Sequence, residues 1–219
     1  MKTVVALHTS AALVDRIKDL WAKYEIDAKL VNIVDDSLIW EVIDNDGATV
    51  KTKRRLARYA DAANDLDADY ILNTCSSVGA VADQFAVFSK IPVIKIDGPM
   101  AKNAVALVKE DMTIGVLATL PTTLPPTVGL VKSEITKSKK AIEVKDFVAE
   151  GAFQKLMAGK RDEHNQIVLA KAVEISAKVD VIVLAQGSMS LLEEEIAQAT
   201  GKPVFSSPES GIEQFKSLV

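Results

Sequence analysis

Cysteine is nearly absent from this chain of 219 residues: Cys75 stands alone, so no intrachain disulfide can form. Histidine is almost as scarce, with His8 and His164 only, and no Cys/His pair has the spacing of a structural zinc site. Long apolar runs are missing too, and no stretch approaches the roughly 20 residues that span a bilayer. There is no basic excess, because 26 Lys and Arg face 30 Asp and Glu for a net charge of −4, which gives no electrostatic footprint for nucleic acid or an anionic membrane. Ten Gly and seven Pro are too few for a linker or fibre, and an apolar fraction of 48% describes an ordered globular protein. Met1-Lys-Thr-Val-Val-Ala-Leu7 only superficially resembles a secretion signal, since His8-Thr9-Ser10 interrupts it after a short apolar run. A lone thiol fits a reducing cytoplasm, which is the expected location.

What the chain does contain is an internal repeat. Asp69-Tyr-Ile-Leu-Asn-Thr-Cys75-Ser-Ser77 reads onto Asp180-Val-Ile-Val-Leu-Ala-Gln186-Gly-Ser188, and Ile91-Pro92-Val93 onto Lys202-Pro203-Val204, at a constant offset of 111 positions. Thr3–Thr9 aligns with Thr113–Thr119 at an offset of 110. Two similar half-chains follow, and they predict an α/β fold of two pseudo-symmetric lobes with an active-site cleft between them. Residues 1–97 plus 208–219 are expected to form the first lobe and 98–207 the second, with Asp97-Gly98-Pro99 as the turn that separates them.

Short apolar runs followed by longer amphipathic stretches give each lobe a mainly parallel sheet flanked by helices. In the first lobe strands are expected over 3–7, 28–33, 70–73 and 93–96, with helices over 11–24, 37–42, 50–66 and 77–89. In the second, strands are expected over 113–118, 141–144, 181–184 and 204–205, with helices over 122–137, 147–158, 163–177 and 189–199. A closing helix through Ser217 returns to the first lobe.

Ligands of open parallel sheets bind beyond the carboxyl ends of the strands. Those ends carry His8-Thr9-Ser10, Asn73-Thr-Cys75-Ser76-Ser77, Thr119-Leu-Pro-Thr122-Thr123 and Gln186-Gly187-Ser188. Small hydroxyl residues dominate them, and each leads into a helix whose first N–H groups lack internal partners and favour an anion such as a small carboxylate.

Cys75-Ser76-Ser77, Thr119-Leu-Pro-Thr122-Thr123 and Val183-Leu-Ala-Gln186-Gly187-Ser188, together with the duplication, resemble the aspartate/glutamate racemase superfamily over nearly the whole chain. That superfamily also holds hydantoin racemases, maleate cis-trans isomerases and arylmalonate decarboxylases. The resemblance implies a cofactor-independent enzyme that moves a proton at the carbon next to a carboxylate of a small amino-acid-like or dicarboxylate substrate. Two-cysteine racemases of this group place one thiol at each pseudo-equivalent strand end. Cys75 matches the first position, whereas Gln186 holds the second, and an amide cannot act as an acid or a base at neutral pH.

Cys75 is therefore the expected base or nucleophile, since a helix N-terminus favours the thiolate; otherwise it is a small buried hydrophobe. His8 aligns with an acid that assists the cysteine in glutamate racemases, and is read either as a base or orienting group, or as a histidine bonded near a strand end. His164 opens a charged helix, which suggests a solvated first turn, with a role as the second titratable group of the site as the alternative. Thr9, Ser10, Ser76, Ser77, Thr119, Thr122, Thr123, Gln186, Gly187 and Ser188 are the expected substrate-binding set, with helix capping as the alternative for the hydroxyl residues. Lys51-Thr-Lys53-Arg54-Arg55 is read as a solvated face or an anion holder, and Trp21 and Trp40 as core or interface. No metal or cofactor is implied, and a homodimer is the default assembly. The competing functions are a one-cysteine decarboxylase or cis-trans isomerase, and a non-catalytic carboxylate-binding protein.

Overall fold

The protein is described by a computed structural model covering all residues, 1–219. Two compact units divide it: Met1–Asp97 with Pro208–Val219, and Gly98–Ser207. The first contains β1 (Lys2–His8), α1 (Val14–Lys23), β2 (Ala28–Val34), α2 (Ser37–Asp44), α3 (Val50–Asp65), β3 (Tyr70–Asn73), α4 (Gly79–Ala86) and β4 (Val93–Lys95). The second contains α5 (Gly98–Leu107), β5 (Thr113–Ala118), α6 (Leu124–Ser138), β6 (Glu143–Val148), α7 (Ala152–Met157), α8 (Arg161–Ile175), β7 (Val181–Leu184), α9 (Glu193–Thr200) and β8 (Val204–Ser206), after which α10 (Ser207–Glu213) belongs almost entirely to the first.

Each unit is one parallel four-stranded sheet, in the order β2-β1-β3-β4 and β6-β5-β7-β8 respectively. The central strands β1 and β5 are apolar on both sides, because helices cover both faces. Val4 and Ala6 of β1 pack with Ile17, Leu20 and Trp21 of α1 and with Phe215, while Val5 and Leu7 pack with Ala60 and Ala63 of α3. In the second unit Ile114, Val116 and Ala118 face α5 and α6, and Leu117 joins Val168, Ala172 and Ile196 on the other side.

The repeat extends to individual hydrogen bonds. Thr3 N–H donates to Asp69 Oδ2 at 2.7 Å and Asp69 N–H to the Thr3 carbonyl at 2.8 Å. Thr113 and Asp180 make the same reciprocal pair at 2.9 and 2.8 Å. Four strands also lead through two residues, the second of them extended, into a 3-10 turn, with Ser10, Cys75, Leu120 and Gln186 as the extended residue.

Some boundaries differ from expectation. Gly98-Pro99 does not form a turn but opens α5, where a proline costs nothing because first-turn N–H groups have no helical partner. The sixth strand is shifted to Glu143–Val148, and Phe147 lies in it, not in the following helix. This is an edge strand that exposes Glu143 and Asp146, so the expected segment 141–144 marked only its beginning. Trp21 is buried and donates through Nε1 to the Ala28 carbonyl at 2.9 Å, whereas Trp40 is 44% exposed.

Candidate active site

In each sheet the strand order reverses between its two central strands, β1 and β3 or β5 and β7. That switch point is where open α/β sheets leave a crevice. His8-Thr9 and Thr74-Cys75 end the pair in the first unit; Thr119 and Gln186 end it in the second.

Cys75 is a free, half-buried thiol that packs against the apolar cluster of Leu38, Val42, Leu56, Val78 and Val81. Burial pushes its pKa above the ordinary thiol value, while the Thr9 hydroxyl and the Ser77 and Val78 N–H groups are directed at the sulfur and favour the thiolate. The helix start therefore does not by itself produce a thiolate; desolvation outweighs it. The Ser77 hydroxyl faces the sulfur without completing a well-formed hydrogen bond. The turn is fixed from behind, because Asn73 Nδ2 donates to the Cys75 carbonyl at 3.0 Å and Val78 N–H reaches the same oxygen at 3.3 Å.

His8 is 2% exposed, and its bonds go to Asn32 and Thr74. Nε2 lies 2.9 Å from Asn32 Oδ1 and Nδ1 lies 3.0 Å from Thr74 Oγ1, which also donates to the Leu7 carbonyl at 3.0 Å. Burial lowers the His8 pKa, which favours the neutral ring at neutral pH. Asn32 Oδ1 can only accept, so Nε2 donates to it, and in the neutral ring Nδ1 accepts from the Thr74 hydroxyl, whose proton the Leu7 carbonyl shares. His8 thus holds the residue before Cys75. Thr74 and Asn32 were not singled out in the sequence, although Asn32 is the one polar residue of Leu30-Val-Asn-Ile-Val34.

Gln186, at the repeat position of Cys75, is tied equally tightly. Its Oε1 accepts from Thr119 N–H at 2.6 Å, Thr119 Oγ1 at 3.0 Å and Leu120 N–H at 3.3 Å. Three donors on one oxygen fix the amide orientation, so its NH2 is the group left to offer. Thr123 Oγ1 donates to its own turn at Leu120 O, 2.8 Å away, and Ser10 Oγ accepts from Ala12 N–H at 3.3 Å, so these two hydroxyls cap turns. Thr122 Oγ1 is buried with no partner. Ser76, Ser77, Gly187 and Ser188 are half-buried at the starts of their 3-10 turns.

His164 is not in a solvated turn: it is 0% exposed, with Nδ1 2.9 Å from Asn165 Oδ1 and Nε2 unpartnered. The charged neighbours Arg161, Asp162 and Glu163 suggested otherwise, but the α-helical period turns position 164 toward the core with Val168 and Ala172. Of the basic cluster, Arg55 is committed to Asp35, Glu41 and Ser37, and Lys51 to Glu41.

The family model described as Asp/Glu/Hydantoin racemase matches residues 3–215. No curated protein sequence matches the chain significantly. Among solved structures, a glutamate racemase isoform, RacE1, from Bacillus anthracis is 14% identical with a TM-score of 0.77, over 99% of this chain and 81% of that one. The Picrophilus torridus aspartate racemase is 12% identical with a TM-score of 0.75, over 100% and 94% of the two chains. An allantoin racemase from Klebsiella pneumoniae is 13% identical with a TM-score of 0.67, over 100% and 87%.

Proposed function

Because the chain belongs to the Asp/Glu/hydantoin racemase family, we propose that it is a cofactor-independent enzyme that moves a proton at the carbon next to a carboxylate, with Cys75 as base or nucleophile. The observation that carries this reading is the surroundings of the thiol: a hydroxyl from Thr9 and N–H groups from Ser77 and Val78 are directed at a sulfur that ends a central strand at a switch point. A thiol so placed can release its proton and hold the charge that results, without a metal. The substrate is a small amino-acid-like carboxylate or dicarboxylate. In this reading His8, locked between Asn32 and Thr74, keeps the Cys75 turn in place.

Gln186 favours a narrower variant. Its oxygen is saturated and its amide has no group that titrates near neutral pH, so this repeat position donates a hydrogen bond where a thiol would donate a proton. One titratable thiol suits a one-sided reaction, decarboxylation or cis-trans isomerisation by addition of Cys75, better than racemisation. The test is incubation in D2O with amino acids, hydantoins and α-substituted dicarboxylates, reading α-proton exchange and then product stereochemistry. Exchange should disappear in Cys75→Ala; if it persists unchanged, the thiol has no part in it. A single product enantiomer supports the one-sided variant, and a racemic product rejects it.

A further inference from the structure

Asp97 stands apart from the other carboxyl groups of the chain. It is 4% exposed, the one acid among the buried residues, and no ion pair reaches it. Its Oδ1 is buried without a hydrogen-bond partner. A buried carboxylate without a countercharge costs several kcal/mol, so such a group normally takes up a proton or serves a site. Burial does push the Asp97 pKa upward. The charged side chains acting on it are Lys95 at the end of β4, two residues before it, and Asp83 on α4, and these bond each other at 2.8 Å, leaving little net charge. On α10, whose Gly211 packs onto the Ile96 carbonyl, the acid Glu209 is taken up by Arg16, Lys23 and Tyr24.

The position of this carboxyl ties it to the Cys75 turn. Strand β4 pairs with β3 at Asn73 and Lys95, and Ile96 N–H donates to the Asn73 carbonyl at 3.0 Å, which brings Asp97 alongside the turn that follows β3. The Ser76 hydroxyl is directed at this carboxyl without completing a well-formed hydrogen bond. The turn therefore has a Thr9 hydroxyl at the sulfur from β1 on one side and Asp97 at Ser76 from β4 on the other.

We propose that Asp97 is a positioning residue for Cys75: it anchors the Ser76 hydroxyl and so holds the Ser77 and Val78 N–H groups on the sulfur. The inference rests on Cys75 being the reacting group, but it concerns the thiol's ionisation and can be read without any substrate. Without the anchor the turn loosens, the N–H groups leave the sulfur, and the thiolate loses stabilisation. Burial disfavours a second negative charge on Asp97 beside the thiolate.

The test is the pH dependence of Cys75 alkylation by iodoacetamide in the intact protein, with folding checked by circular dichroism. Asp97→Ala and Ser76→Ala should each move the midpoint upward by about half a pH unit or more, each full unit being tenfold in thiolate population at fixed pH. The double variant should move it no further than either single one, because both act through one contact. Asp97→Asn, which keeps an acceptor of the same shape, should restore the wild-type midpoint. Additive shifts, no shift in Ser76→Ala, or a midpoint lowered in Asp97→Asn (the sign of a charge removed) would each overturn the proposal. If the shifts appear while Cys75→Ala leaves α-proton exchange intact, the positioning holds and the enzymatic reading of Cys75 fails.

Discussion

The two switch-point turns are built on one plan and filled for different tasks. In the first unit the extended residue before the 3-10 turn is a thiol met by the Thr9 hydroxyl; in the second it is an amide met by the hydroxyl and N–H of Thr119. Thr9 and Thr119 are repeat partners, so the same donor serves a group that can ionise in one unit and one that cannot in the other. Cys75 has no strong bond to lose structurally, while the oxygen of Gln186 gathers three. One turn carries a group that can ionise, its copy an amide held by three donors.

That contrast is open to attack by substitution, and activity should give the largest effect. Cys75→Ala should lower α-proton exchange by about 10³-fold or more, in the range of lost nucleophiles and bases, whereas Gln186→Ala should cost about tenfold. Equal losses would show that both turns take part in the chemistry alike. Stability should invert the order. Gln186→Ala strands three donors and should cost about 2 kcal/mol in urea unfolding, with Cys75→Ala below about 1 kcal/mol.

The central strands offer a second comparison. Gly115 of β5 stands where β1 has Val5, and a Cβ there would lie 2.8 Å from Val179 Cγ1. Gly115→Ala should therefore destabilise by about 1–3 kcal/mol, as overpacking does, and Val179→Ala should rescue it. Without rescue, the clash is not the reason for the glycine.

A smaller effect should appear in alkali and only in the first unit. Burial and the hydrogen bond to Glu209 raise the Tyr24 pKa from 10.0 to about 12. Between those values the folded state keeps a proton that the unfolded chain has released, so this contribution is present below pH 10 and is lost as pH rises toward 12. Unfolding midpoints measured across that window should fall more steeply for the wild type than for Tyr24→Phe.

The duplication made both sheets legible, because apolar runs at a fixed offset report burial on both faces of a parallel strand. Cys75 and Gln186 were legible as partners for the same reason. What the sequence hid were contacts between strands distant in the chain, such as Asn32 with His8, and the inward face of charged segments. His164 sits among charges in sequence and among apolar residues in space. Asp97 was hidden by its neighbours: Gly98 and Pro99 read as a turn between the lobes, which carries no signal that the acid is buried.

The discontinuity of the first unit bears on the order of folding. Residues 98–207 form their sheet from one continuous stretch, whereas the first unit needs Phe215 against Trp21 at ring centroids 5.4 Å apart and Lys2 Nζ on the Leu218 carbonyl at 2.6 Å. During synthesis the second sheet is complete before the last helix of the first exists, and closing a loop of that span is the slower event. Pulse-labelled hydrogen exchange on refolding should accordingly protect β5 and β7 before β1 and β3; the reverse order would mean that the first sheet forms without its closing helix.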